Sequence, residues 1–327
     1  MKKLWFVGLA LLGLVCLWGC INNSSIKEKH DNEIDSLIND SIHGIYASDT
    51  IDAYAELVPS DSANGIYYYH GVEGCKLKRR FATDSSKIYV DYRITILDVH
   101  ADITKSLFYS THDILLMWGV VAKGDSIAPF NDNEKMSYKD IFKTGLAWSE
   151  DCYRSNLNEL YQDAEDLFGY YIEISIYPVW LTNNIVTYCI KEESFTGGAH
   201  SNYDYYLKSF DRQTGRALCE EDIIKKEKTS KITALIVRHR AAFRDFATVN
   251  DYLDDLNEWK NGLFLVEHGV EKRYTPQTFP LGRVGLREEG LVVSYPRYSI
   301  AAGVEAVPTV VLAYEEIGDC LKISVKK

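Results

Sequence analysis

The chain has 327 residues, of which 46% are hydrophobic and 25% are charged, and this composition excludes a largely disordered protein. Its length is sufficient for one large or two modest hydrophobic cores. The formal net charge of -11 at pH 7 argues against nucleic-acid binding, which requires a basic surface. We therefore expect one or two globular domains that bind no nucleic acid.

The first twenty residues have the pattern of a bacterial lipoprotein signal. Two lysines precede the apolar run Leu4–Trp18, which is shorter than the ~20 residues that a helix needs to span a bilayer. The segment Leu17–Cys20 resembles the lipobox, in which a small residue precedes a cysteine that receives a diacylglycerol. We predict a signal peptide at residues 1–19 and a fatty-acylated, palmitate-type anchor on Cys20. An uncleaved anchor, or an ordinary signal with a bystander cysteine, stays an alternative.

The residues after the signal predict location and domain organisation. Ile21, rather than Asp, follows the lipidated cysteine, which by analogy with sorting rules in two-membrane bacteria predicts the periplasmic face of the outer membrane. Polar residues at 20–30 predict a tether between lipid and protein. Beyond the tether we predict an N-terminal α+β part at 31–150 and a C-terminal α+β domain at 151–327.

Hydrophobic periodicity predicts the secondary structure of the mature chain. In chain order we predict a helix over Asp31–Ile45, strands within Ile66–Val99, a helix over Asn156–Phe168, strands over 172–177, 185–192 and 203–210, helices over Ser230–Phe246 and Asn250–Leu263, and strands over Leu291–Tyr295 and Val307–Tyr314. Ser230 and Asn250 are the predicted N-caps. The order strands, helix, meander, two helices, strands predicts an α+β fold of antiparallel sheets with packed helices, because the short strand links leave no room for parallel crossovers.

Five cysteines besides Cys20 belong to the predicted mature chain. They are Cys75, Cys152, Cys189, Cys219 and Cys320. No CxxC pair occurs among them, which excludes zinc-ribbon and thioredoxin-like sites. We expect most of them to be buried free thiols, although an exported protein could oxidise some, and the pairing is then open.

The most unusual local chemistry lies between Ser194 and Asn202. The candidate residues of this loop are Thr196, Gly197, Gly198, His200 and Asn202. Adjacent glycines permit backbone angles that other residues avoid, and the remaining three supply hydrogen-bonding groups. The loop is either a binding loop, or a bulge between strands in which His200 satisfies a backbone carbonyl.

Two sequence blocks carry a resemblance to a known family. The first block is Phe195–His200 with Phe210-Asp211 and Thr214-Gly215, and the second is Gly290–Gly303 with Glu305–Pro308 and Tyr314. They resemble the extracytoplasmic domain of RsiV-type anti-sigma factors, which also occurs beside the catalytic domain of PdaC-type peptidoglycan deacetylases. The resemblance covers roughly residues 150–320.

The resemblance implies an α+β envelope domain, which recognises lysozyme in the anti-sigma branch and has an unknown ligand in many other members. Only Met1–Lys3 precede the apolar run, so we expect no sigma-factor partner. Deacetylation needs a metal-binding histidine pair and an Asp-Asp dyad, and the chain has no H-x-x-x-H pair. We therefore do not expect the deacetylase activity.

Other catalytic patterns are also missing from the sequence. There is no G-x-S-x-G, H-E-x-x-H or G-x-x-x-x-G-K motif, and the eight histidines form no i, i+3 or i, i+4 pair, so no cofactor or metal is expected. Carboxylate pairs such as Glu192-Glu193 are interpreted as solvated surface. We predict a non-catalytic, lipid-anchored recognition module whose suggested partners are a lysozyme-like protein or cell-wall glycan. The alternatives are an enzyme that acts on envelope polysaccharide through a site assembled only in the fold, and a purely structural lipoprotein.

Overall fold

The computed structural model describes residues 64–82, 89–118, 130, 136–160, 170–195, 197, 200–263, 273–301 and 307–324. All of them belong to one compact unit, residues 63–327. The predicted signal peptide, the tether with Cys20, and the predicted helix Asp31–Ile45 lie outside the described residues. The predicted division at residues 150 and 151 stays a prediction.

A six-stranded sheet forms the centre of this unit, with its strands in the order of the sequence. The strands are β1 (Asn64–Tyr69), β2 (Val72–Ala82), β3 (Tyr89–Leu97), β4 (Tyr171–Leu181), β5 (Ile185–Phe195) and β6 (Asn202–Asp211). The predicted meander is confirmed, because β4, β5 and β6 follow one another in the chain and pair in antiparallel fashion. Alternation of buried and half-buried residues along β4 is the period-2 pattern that the sequence displays.

One strand pair corrects the prediction. Strands β3 and β4 run parallel, with Tyr89 opposite Tyr171 and Ile94 opposite Ile176. The connection between these strands contains two helices, α1 (Ala101–Met117) and α2 (Tyr138–Leu160), and is therefore long enough for a parallel crossover. Helix α1 was not predicted, and α2 begins 18 residues before the predicted start at Asn156.

Helices α1 and α2 pack against each other, and α2 also contacts β2. Gly145 of α2 permits the close approach, because a Cβ at that position would lie 2.5 Å from ring atoms of Phe108 on α1. Below the helices, Tyr92 and Ile94 are buried. Phe81 joins Tyr92 in an edge-to-face contact with ring centroids 5.3 Å apart.

A second, three-stranded antiparallel sheet packs on the opposite face. Its strands are β7 (Arg283–Leu286), β8 (Gly290–Ser294) and β9 (Thr309–Ala313). Further α-helices of the described ranges are α3 (Glu220–Ile223), α4 (Thr229–Phe243), α5 (Val249–Leu263) and α6 (Tyr314–Ile317). Val292 of β8 packs with Leu207 of β6, whereas Leu291 and Val293 belong to a core shared with α4 and α5.

The two predicted helices after the meander are confirmed, but their caps are not. Thr248 caps α5: the Asp251 amide donates to Thr248 Oγ1 at 3.1 Å, and the Thr248 amide donates to Asp251 Oδ2 at 3.0 Å. This capping box places Asn250 inside the helix. Ser230 lies inside α4, whose N-cap is Lys228. These shifts leave the predicted α+β class confirmed.

Candidate functional site

The predicted loop lies where β5 and β6 separate. Ser194 and Asn202 form the last residue pair of the two strands, so Asn202 begins β6 at the base of the loop. Gly197 has a φ of +94°, a backbone angle that favours glycine, and a Cβ there would lie 3.2 Å from the ring of Tyr170, which is a tight contact. Thr196 and Gly198 lie outside the described residues.

The structure brings the second sequence block onto this loop. After β8, Tyr295 is buried and the chain turns at Pro296, where the Ser299 amide donates to the Pro296 carbonyl at 3.0 Å. The turn presents Arg297 and Tyr298. Tyr298 has a φ of +65°, an uncommon value for a residue with a side chain, and is 39% exposed. The fold therefore holds an exposed aromatic ring beside the loop at a conformational cost.

Contacts between the blocks define what we name the His200 cluster: His200, Ser201, Arg297 and Tyr298. Arg297 Nη1 donates to the Ser201 carbonyl at 2.8 Å and lies 3.3 Å from His200 Nδ1. The other ring nitrogen, Nε2, lies 3.4 Å from Tyr298 Oη. His200 Nδ1 is also 3.1 Å from the Ser201 carbonyl, so the imidazole does meet a backbone carbonyl. Two segments almost 100 residues apart thus meet in one polar cluster.

A phenol and a carboxylate extend the cluster onto the sheet. Tyr171 of β4 donates to Glu193 Oε1 at 2.7 Å, and its hydroxyl lies 3.0 Å from Ser201 Oγ. Tyr203 of β6, 47% exposed, sits opposite Glu193. Partial burial and the hydrogen bond with Glu193 raise the pKa of Tyr203 above its usual range. Neutral phenols therefore surround Glu193 on this surface.

The groups of the His200 cluster are hydrogen-bonding side chains at the surface. No described carboxylate contacts His200, so nothing orients the imidazole as a carboxylate does in a catalytic triad. Guanidinium, imidazole and phenol groups side by side at the surface are suited to hydrogen-bonding a polar ligand. Aromatic residues and arginine are also the types most often found at binding hot spots.

A second polar group was missed by the sequence interpretation. Glu192 was interpreted as solvated surface together with Glu193, but the structure corrects this: Glu192 is only 4% exposed. It accepts hydrogen bonds from the Trp118 indole and from Ser194 Oγ, the latter at 3.1 Å. Burial raises the pKa of Glu192 to about 7. The signal that could have found it is strand alternation, which places neighbouring residues on opposite faces.

The cysteines and candidate metal ligands add no site. All five cysteines of the described chain are free thiols; Cys152, Cys189 and Cys320 are buried, Cys75 is half-buried and Cys219 is exposed. This agrees with the expectation of mainly buried thiols. Within the described ranges, no group of three or more His, Cys, Asp or Glu side chains is arranged to hold a metal ion. No helix in these ranges is long and apolar enough to cross a membrane.

Two solved structures of DUF3298 family proteins are similar to this chain. No family model matches the chain, and no curated protein matches its sequence. The structure of BF2082 from Bacteroides fragilis, described as a member of the DUF3298 family, is 16% identical over 80% of this chain and 96% of that chain, with a TM-score of 0.49. The DUF3298 family protein PA4972 from Pseudomonas aeruginosa is 14% identical over 77% of this chain and 94% of that chain, with a TM-score of 0.48. At these values the likeness supports no argument about function, and the resemblance to RsiV and PdaC proteins stays a prediction.

Proposed function

We propose that the protein is a recognition module of the bacterial cell envelope, anchored to the membrane through lipidated Cys20 and facing the periplasm from the outer membrane. The pattern of residues 1–20 supports the export and lipid anchor. The candidate partners are a lysozyme-like protein or cell-wall glycan, as the resemblance implies. Neither nucleic acid nor a sigma factor is a proposed partner.

The His200 cluster carries the recognition part of the proposal. Its Arg297 and Tyr298 side chains stand on a turn fixed by the buried Tyr295 and by the hydrogen bond to the Pro296 carbonyl. A rigid support of this kind reduces the conformational entropy that is lost when a ligand binds. Both residues also contact the loop singled out by its glycines.

A binding measurement tests this proposal with two probes, lysozyme and soluble peptidoglycan fragments. We expect one probe to bind the full-length protein, and Arg297→Gln or Tyr298→Ala to weaken binding at least tenfold. Tyr68→Ala is the matched control, because Tyr68 is an exposed tyrosine on β1. Absence of binding to both probes, or equal binding by all variants of unchanged fold, would contradict the proposal.

The enzyme alternative rests on a different observation. Glu192 and Asp204 lie directly opposite each other on β5 and β6, and Arg283 bonds Asp204 at 2.5 Å. In a glycosidase, one carboxyl group acts as the acid and the other as the base or nucleophile, and their different environments give them these roles. A buried acid beside an ion-paired carboxylate is a difference of this kind. However, a polysaccharide must reach both groups, and Glu192 is almost fully buried. The recognition function is therefore favoured.

A turnover assay separates the two functions. We expect incubation with peptidoglycan fragments to release no reducing ends above background. Release that disappears in the Glu192→Gln variant would instead support the enzyme.

A further inference from the structure

Glu192 occupies a junction between a helix and two strands. Its carboxyl group accepts hydrogen bonds from Trp118 Nε1 and Ser194 Oγ, and both donors are uncharged. Trp118 is the C-cap of α1, and its backbone amide donates to the Ile114 carbonyl at 3.2 Å. The carboxyl group of Glu192 thus connects the end of α1 to the sheet.

The charged groups around this carboxyl group do not neutralise it. On β6, Asp204 lies opposite Glu192 and brings a second negative charge. Arg283 of β7 is the nearby cation, but its Nη1 already bonds Asp204 at 2.5 Å. On the other side, β4 presents the apolar Ile174.

The remaining titratable groups on this face lie further along β6 and α1. Lys208 Nζ donates to Ser110 Oγ of α1 at 2.9 Å, and Asp113 of α1 is the carboxylate whose charge acts on Lys208. Tyr206 lies beside the same serine and below the Arg283 guanidinium, which is 4.8 Å from its ring centre. None of these groups supplies Glu192 with a cation among the described residues.

A carboxyl group in such a place favours its neutral form. Removing an ionised carboxylate from water is costly unless a cation and hydrogen bonds compensate for the loss. Burial is the largest cause that raises the pKa of Glu192 to about 7, and the charge of Asp204 adds to it, whereas the bonds from Trp118 and Ser194 oppose it. Glu192 therefore loses its proton near neutral pH and not well below it, and the buried carboxylate that results has Asp204 as its neighbour.

We propose that Glu192 forms a pH-sensitive contact: as a neutral acid it holds the Trp118 end of α1 on the sheet, and its ionisation opens this end to water. The opening relieves both the desolvation of Glu192 and its repulsion by Asp204. The contact works independently of any ligand of the His200 cluster. Its role is to give the end of α1 one surface in mildly acidic surroundings and a different, more open surface in mildly alkaline surroundings.

Hydrogen exchange of the α1 C-terminal turn in the full-length protein tests the proposal. After correction for intrinsic exchange rates, we expect protection of residues 114–118 to fall at least fivefold between pH 5.5 and 8.5, with a midpoint near 7. Glu192→Gln keeps a neutral side chain of the same shape and should stay protected throughout. Glu193→Gln is the matched control, because Glu193 faces the opposite side of β5, and it should behave like the unmodified protein.

A second variant keeps the test decisive if Glu192→Gln does not fold. Asp204→Asn removes the neighbouring negative charge and frees Arg283, so the midpoint should move to lower pH. Constant protection in the unmodified protein, the same loss of protection in Glu192→Gln, or an unchanged midpoint in Asp204→Asn would overturn the proposal.

Discussion

Adjacent glutamates on β5 show how strongly one position along a strand changes a residue's chemistry. Glu193 lies on the half-buried face, where Tyr171 donates to it, whereas Glu192 is buried below α1. The sequence presents them as one acidic pair, and an acidic pair is most often solvated. Strand alternation places the two on opposite faces, but it does not show which face is buried, because six consecutive residues of β5, 185–190, are buried and conceal the period-2 pattern.

For single residues, the burial of Glu192 predicts that the stability of the protein depends on pH. The pKa of Glu192 rises from 4.5 to about 7 on folding, so the folded state binds the proton more tightly. Its stabilising effect is complete below pH 4.5 and is lost as the pH rises through 7, by about 3 kcal/mol in total. We expect Glu192→Gln to remove this loss in urea denaturation measured at pH 5 and pH 8. An equal loss in both proteins would contradict the assignment.

The exposed Cys219 gives a second residue-scale prediction. Its thiol donates to Asp222 Oδ2 at 3.0 Å, and hydrogen bonds to Asp222 and Glu221 raise the thiol pKa. Because the thiolate is the reactive form, Cys219 should react slowly with iodoacetamide at pH 8 despite its exposure. We expect Asp222→Asn to accelerate its alkylation severalfold, followed by peptide mass spectrometry. Glu220→Gln is the control, and acceleration by the control alone would contradict this explanation.

At the scale of elements, the contact between α1 and α2 rests on one glycine. Gly145 leaves space for the Phe108 ring, which is 1% exposed. Overpacking of a core contact commonly destabilises a protein by about 1–3 kcal/mol. We therefore expect Gly145→Ala to lower the free energy of unfolding by about 2 kcal/mol, measured by urea denaturation.

Gly318 supplies the control for this substitution. It has ordinary helical angles, with a φ of −54°, and a Cβ there would meet open space. Gly318→Ala should therefore leave stability unchanged or raise it by less than about 1 kcal/mol. If both alanine variants have the same stability, close helix packing is not the reason for Gly145.

At the scale of the molecule, the α+β class and the meander follow from the sequence because strand alternation in β4 and β6 and the turn residues after them are local signals. The parallel pairing of β3 with β4 does not follow from the sequence in this way. It depends on α1, whose helical pattern was not recognised in the sequence. The loop residues Gly197, His200 and Asn202 were identified from local chemistry. The meeting of His200 with Arg297 and Tyr298 is a long-range contact that only the fold reveals.

Export and acylation of Cys20 are the claim on which the proposed envelope function depends. Intact-mass and N-terminal peptide measurements on protein isolated from cell membranes test it most directly. We expect a chain that begins at Cys20 and carries fatty acyl groups on that residue. A native chain that still begins at Met1 and carries no acyl group would contradict it.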